Sequence, residues 1–399
     1  MIQSTLVKLL LAPFSLLYGL GVSLRNAFYR FGLLKDVQFS IPIISVGNLS
    51  VGGTGKTPHI EYLIRMLKDY IQVATLSRGY MRKTRGFLDI QPENNAEEAG
   101  DEPLMFKRKF PDILVGVAES RTFGILELLK VRPKTHVILL DDAFQHLSVR
   151  VGLNILLTDY SNPFTRDYLL PSGRLREWRS AYKRADIIIV TKCPPRMDQA
   201  EKGRMIEELK PLSHQRVFFS YYEYGKPYSL YEWQKHVRLD GTHDLILLSA
   251  IAGTDYLSSY LEERSASIRP MEFEDHHYFS NYDISQLKQL HDNMEGENKI
   301  ILTTEKDAVR LELHKEFLLE NPLPIYILPL RVAFHFEEGP AFEQTVKDFL
   351  LSVRRSGLIR LPLRKSNPDF PDRLFVQSGV LWSGSSNLYV RYRHGQGIE

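Results

Sequence analysis

Residues 39–67 read FSIPIISVGNLSVGGTGKTPHIEYLIRML, and the order of chemistry within that stretch decides the fold. Residues 39–46 are apolar and rich in β-branched side chains, and Gly47-Asn48 ends the run, so they read as a buried strand. Ile60, Leu63, Ile64 and Leu67 recur at helical spacing and form an apolar stripe. A strand, a glycine-rich loop and a helix in that order begin an α/β sheet. The loop, Ser50-Val51-Gly52-Gly53-Thr54-Gly55-Lys56-Thr57, follows the G-x-x-x-x-G-K-[ST] pattern with Ser50 in place of the first glycine. In such a loop, backbone N–H groups at a helix N-terminus surround phosphate oxygens. Lys56 would reach the β- and γ-phosphates of a nucleotide, and the Thr57 hydroxyl would bind Mg²⁺. Pro58 suits a first helical turn, where its missing N–H costs little.

Working outward, further apolar runs at 72–76, 113–117, 136–140, 153–157 and 186–190 predict strands covered on both faces, as in a parallel sheet. Helical patterns separate many of them, so the expected architecture is an α/β P-loop NTPase fold with a mostly parallel sheet. A second group begins near Asp244. Runs at 245–248, 299–302 and 324–328, with a helix after Ala252-Gly253-Thr254, predict a smaller second α/β domain. The expected organisation is an N-terminal membrane helix at 1–35, the phosphate-loop domain at 36–235, the smaller domain at 236–356 and a tail at 357–399 with no functional reading.

Residues 9–24, LLLAPFSLLYGLGVSL, carry no charge. Lys8 precedes them, Arg25, Arg30 and Lys35 follow, and no acidic residue occurs before Asp36. The run is shorter than the about 20 apolar residues of a full crossing, and Pro13, Gly19 and Gly21 weaken a straight helix. It reads as an anchor lying in or dipping into a membrane, its basic flanks meeting an anionic headgroup surface. A signal peptide and a helix packed on the protein's own core are the alternatives. The formal net charge of +3 in 399 residues gives no electrostatic case for nucleic acid. The single cysteine, Cys193, excludes an internal disulfide and a four-cysteine zinc site.

Residues 136–145, HVILLDDAFQ, put Asp141 and Asp142 at the end of an apolar strand. Paired carboxylates there are costly unless a cation neutralises them, which fits Mg²⁺ held directly or through water. Either aspartate could make the direct contact, and Gln145 and His146 fall nearby. A nucleotide switch reading guanine would carry N-K-x-D, but residues 191–194 read TKCP, with Pro194 where the aspartate is needed. A membrane-bound assembly ATPase, the other alternative, would share the loop and the apolar helix.

The wider motif set is more specific. The chain reads VGNLSVGGTGKTP at 46–58, SRGY at 77–80, GDEP at 100–103, LDDAFQH at 140–146, LRE at 175–177, DHHYF at 275–279 and TEKDAVR at 304–310. In order and wording this resembles the tetraacyldisaccharide 4′-kinase family of lipid A biosynthesis, over roughly residues 1 to 350. Ala143 stands where that family often has glycine. The resemblance implies two α/β domains joined by a two-stranded linker, with the active site in the cleft. It implies transfer of the γ-phosphate of ATP to the 4′-hydroxyl of an acylated glucosamine disaccharide 1-phosphate at the cytoplasmic face of the bacterial inner membrane. It makes Asp101 the catalytic base and His276 its partner, with His277 adjoining. A positioned carboxylate can accept the hydroxyl proton, and an imidazole can orient it. Arg78, Arg121 and Arg176 become candidates for clamping phosphate, and Glu177 a candidate Mg²⁺ ligand. Glu305, Lys306 and Asp307 belong to a motif but receive no role.

Overall fold

The computed structural model describes residues 5–355 and 391–392. A nine-stranded sheet organises the larger unit. Its central strands run Arg216–Tyr224, Ile187–Thr191, Leu153–Asp159, Ile43–Asn48, Val137–Asp141, Val73–Ser77 and Leu114–Val117, all parallel. Leu330–Phe334 and Leu88–Asp89 close the two edges as antiparallel strands. The predicted runs fall on these strands with ends shifted by one or two residues, except that the run at 39–46 begins its strand only at Ile43. The strand before the phosphate loop, Ile43–Asn48, is buried along its whole length, as a central parallel strand must be.

A second sheet of five strands holds Asp244–Ser249, Ser267–Glu272, Lys299–Thr304 and Ile325–Leu328 in parallel, with Tyr228–Ser229 antiparallel at its edge. The chain leaves the larger unit along Arg216–Tyr224 and returns along Leu330–Phe334. The two strands pair antiparallel from Tyr224↔Leu330 to Ser220↔Phe334. A two-stranded ribbon therefore joins the units.

The expected boundaries need two corrections. The crossing lies at Gly225, before residue 235, because Tyr228–Ser229 already belongs to the second sheet. Helix Gly339–Arg355, expected in the smaller domain, instead packs on the first: Phe342, Val346 and Leu350 share one buried cluster with Ile44, Ile60, Val137, Leu139 and Ile155. Its apolar side is covered only by returning to that sheet, which tethers both ends of the smaller unit. The tail at 357–399 falls outside the described residues, apart from Arg391–Tyr392, paired with Val37–Gln38.

Thr5–Arg30 is one continuous helix through Pro13. At 26 residues it is about 39 Å long, and by length and composition it is sufficient to cross a membrane. Its polarity is inverted relative to a soluble helix. Ser15 and Gly19 face the protein: the Ser15 hydroxyl donates to Leu169 O at 3.0 Å, and a Cβ on Gly19 would lie 2.4 Å from the Trp178 ring. Leu9, Leu10, Leu16, Leu17 and Leu20 face outward and are exposed. Small and polar side chains inward with leucines outward are what helix packing in an apolar medium requires.

Two stability measurements test these packings. Phe342→Ala is expected to cost about 3–5 kcal/mol in denaturant unfolding, against under about 0.5 kcal/mol for the exposed Leu319→Ala; equal effects would mean that the last helix is not part of the first core. Gly19→Leu should unseat the helix from Trp178, raising Trp178 fluorescence quenching by a soluble quencher.

Candidate active site

The phosphate loop ends in helix Lys56–Leu67, with Gly55 as its N-cap at φ 84°. That conformation favours glycine, and space demands it too, since a Cβ there would lie 2.1 Å from the Tyr222 hydroxyl. Ser50 is absent from the residues with positive φ, so a serine is tolerated where the pattern has glycine. The loop is held from behind, with Val51 N donating to Arg174 O at 2.8 Å and the Thr191 hydroxyl to Thr54 O at 3.0 Å. Gly53 meets the other unit: a Cβ would sit 2.9 Å from Ala252 O.

A cavity of about 730 Å³ opens at the carboxyl ends of the strands, where ligands bind in open α/β sheets. Ser50 to Thr57, Arg78, Asp101, Arg121, Asp141, Asp142, Arg176 and His276 all line it. Tyr18, Val22 and Arg25 of the N-terminal helix form part of its wall.

The two strand-end aspartates have different surroundings. Asp142, at φ 47°, receives a two-pronged hydrogen bond from Arg176 at 2.9 and 2.7 Å, and Lys56 Nζ stands 4.0 Å away. Burial would raise its pKa, but Lys56 and Arg176 outweigh burial and hold it at about 2. Asp141 is buried, and neither of its carboxylate oxygens has a hydrogen-bond partner in the protein. Burial, then the negative charge of Glu102, push its pKa up to about 7 against the pull of Lys56. An orphaned buried carboxylate of this kind fits a cation as its missing partner.

Across the cavity, helix Asp101–Lys109 begins after Gly100 at φ 86°. Acidic residues in its first turn and Lys107, Arg108 and Lys109 in its last suit the helix dipole. Asp101 Oδ2 lies 3.0 Å from His276 Nδ1, and Oδ1 accepts the Glu102 N–H at 2.8 Å. Arg310 NH1 is 3.7 Å and Lys306 Nζ 4.0 Å away. Burial would raise the Asp101 pKa, but the His276 hydrogen bond and the charges of Lys306 and Arg310 bring it down to about 2. His277 faces elsewhere, 3.0 Å from Asp283 and stacked on Phe273.

The remaining candidates divide. Arg78 lines the cavity with an exposed side chain. Arg121 is buried, and its guanidinium donates to the carbonyls of Ala118 and Asp141, both at 3.0 Å. Glu177 corrects the expectation of a metal ligand at the cavity, for it does not line it. The side chain is buried and bonded to Arg184 at 2.5 Å, because Arg176 takes the inward direction and its neighbour turns away. Sequence reasoning gave no role to Lys306 and Arg310, which surround Asp101. Their signal was present in TEKDAVR, but charged residues on one helix acquire this meaning only when another unit packs on them.

A family model described as tetraacyldisaccharide-1-P 4′-kinase, LpxK, matches residues 7–351. The tetraacyldisaccharide 4′-kinase of Bacteroides fragilis is 43% identical over 363 residues, covering 89% of this chain and 96% of the relative. That of Flavobacterium psychrophilum is 42% identical over 351 residues, covering 87% and 98%. A crystal structure of LpxK from Aquifex aeolicus in complex with ATP superposes with a TM-score of 0.64 at 29% identity, covering 86% of this chain and 99% of that one. With a match spanning both sheets, the linking ribbon and nearly all of the N-terminal helix, the chain belongs to the tetraacyldisaccharide 4′-kinase family.

Proposed function

We propose that the protein transfers the γ-phosphate of ATP to the 4′-hydroxyl of a tetraacyldisaccharide 1-phosphate, forming lipid IVA in lipid A biosynthesis. The observation that carries this reading is one cavity bounded by the phosphate loop, the Asp101–His276 pair and the apolar N-terminal helix. An assembly ATPase would need the first and third but has no use for a buried carboxylate paired across two units.

In this reading ATP rests on residues 50–57, with Lys56 beside its terminal phosphates. Thr57 and Asp141 would hold Mg²⁺, which when bound neutralises charge on the phosphate oxygens. The sugar enters the cleft while its acyl chains stay beside the outward leucines of the helix, at the cytoplasmic face of the inner membrane. The 4′-oxygen attacks the γ-phosphorus in line. The new O–P bond forms as the bond to the bridging oxygen breaks, and ADP leaves with that electron pair. The hydroxyl proton passes to Asp101. A carboxylate held at about pKa 2 is a weak base, but the proton becomes acidic as the O–P bond forms, so the transfer is late in a loose transition state. Lys56, Arg78 and Arg176 line the same cavity, where their fixed positive charge would lower the barrier.

Detergent-solubilised protein given γ-labelled ATP, Mg²⁺ and a tetraacyl disaccharide 1-phosphate should move label into the lipid. Lys56→Ala and Asp101→Ala should each lower the rate by at least about 10²-fold. Wild-type turnover by Asp101→Ala would remove the base assignment, whereas ATP hydrolysis that needs a protein partner and leaves lipid unlabelled would favour the assembly ATPase.

The pH dependence has a definite sign. Asp101 acts ionised and its pKa lies below the ordinary 3.8, so its acid limb in kcat/KM falls below that pH. His276→Ala removes the hydrogen bond that lowers the pKa, and the limb should move to higher pH. An unmoved limb would separate His276 from the control of Asp101.

A further inference from the structure

Lys306, at the start of helix Glu305–Leu311 in the second unit, reaches the Asp101–His276 pair from behind. Its Nζ lies 3.2 Å from Glu102 Oε1, 3.2 Å from Asp275 Oδ1 and 3.2 Å from His276 Nε2. Asp101 Oδ2, at 4.0 Å, is outside hydrogen-bonding range. An ammonium has three N–H donors and no acceptor. Three acceptors surround this one, so each proton has a destination. Burial opposes its charge, but Glu102, Asp101 and Asp275 outweigh burial and raise its pKa above the ordinary lysine value.

A lysine that keeps its charge can only donate to Nε2, so Nε2 must present its lone pair. A neutral imidazole with its lone pair on Nε2 carries its hydrogen on Nδ1. That hydrogen points at Asp101 Oδ2, 3.0 Å away. An imidazolium would instead aim an N–H at the ammonium. Asp275 approaches the same ring nitrogen only to 3.7 Å and does not compete for it. The ring is also fixed in place. Its residue adopts φ 63°, its N–H donates to Ala250 O at 3.2 Å, and Tyr80 packs on it at a centroid distance of 4.7 Å. The other charges at the pair, Arg310 and Glu102, face Asp101 and Lys306 rather than the ring nitrogens.

We infer that Lys306 is a positioning residue that fixes His276 as the Nδ1–H tautomer, so that the histidine donates to Asp101 and does not carry the substrate's proton away. The tautomer follows from the geometry alone, while its catalytic consequence rests on the kinase reading. In that reading the hydroxyl proton moves to Asp101 and stays there until the product leaves and water reaches the carboxylate. The route through His276 to solvent is closed at Nε2 by Lys306.

Nitrogen NMR of ¹⁵N-histidine-labelled full-length protein in detergent micelles tests this, with His276→Gln assigning the resonance. Wild-type protein at neutral pH should show His276 protonated on Nδ1 and bare on Nε2. Lys306→Met should place a proton on Nε2 and lower kcat by about 10²-fold with KM for ATP unchanged, and Lys306→Arg should keep the Nδ1–H signature. A wild-type spectrum with the proton on Nε2 overturns the inference, as does Lys306→Met with the wild-type signature and kcat. Should Lys306→Met fail to fold, the wild-type spectrum still decides. Wild-type protein with the expected tautomer but no lipid kinase activity would sink the kinase reading and leave the positioning role of Lys306 intact.

Discussion

The Asp101 carboxylate is buried in one unit, and the hydrogen-bond donor and positive charges that keep it ionised come from the other. His276, Lys306 and Arg310 all lie beyond the linking ribbon, while Asp101 heads a helix of the larger unit. A buried charge without partners is untenable, and breaking such a pair costs about 3–5 kcal/mol. The contact between units is therefore part of the site's electrostatics. Other ion pairs follow the same seam: Lys109 bridges Glu61 of the phosphate-loop helix and Glu305 of the second unit at 2.7 and 2.8 Å. Arg108 pairs with Glu312 beside them. Separation of the units would expose all these charges together, so the assembled pair and the closed cleft are one condition.

Asp141 presents the opposite case. Neither of its carboxylate oxygens has a hydrogen-bond partner in the protein, and burial moves its pKa towards neutrality. Asp142, one residue away, is saturated by Arg176 and Lys56. Adjacent aspartates at one strand end are thus divided between a carboxylate satisfied by the protein and one left for a ligand. The left-handed turn at Asp142 points the two side chains to different partners. This asymmetry supports Asp141, rather than Asp142, as the proposed direct contact of Mg²⁺.

The larger sheet was legible because its strands are buried on both faces and read as unbroken apolar runs. The phosphate loop was legible because its chemistry is local, set by eight consecutive residues. The edge strand Ser267–Glu272 was not legible, being mostly exposed and carrying Arg269 and Pro270. The return strand Leu330–Phe334 is brief, partly polar and paired only with the ribbon, so its role lies in topology rather than composition. Glu177 was a candidate through motif wording alone, and that wording does not show that its side chain turns to Arg184 instead of the cavity. Asp101 and His276 are 175 positions apart in sequence. Only their motif wording joined them, and the groups that give the pair its electrostatics stayed silent until the units were packed.

The N-terminal helix extends the same reasoning to the substrate. A helix that merely anchored the protein could present any face to the body. This one is keyed by donated hydrogen bonds: the Tyr18 hydroxyl to Arg176 O at 2.9 Å, the Arg25 guanidinium to Gln145 O at 2.7 Å, and the Trp178 indole to Gly19 O at 3.1 Å. Arg176 and Gln145 themselves line the cavity and bond to Asn48 at the base of the phosphate loop. The apolar helix is thereby fixed in register with the phosphate site. For an amphiphile whose chains stay in lipid while its sugar must reach a phosphate, that register sets how deep the headgroup can enter. The apolar helix is itself a wall of the cavity: its leucines face out along it, while its second half carries a tyrosine and an arginine into the cavity.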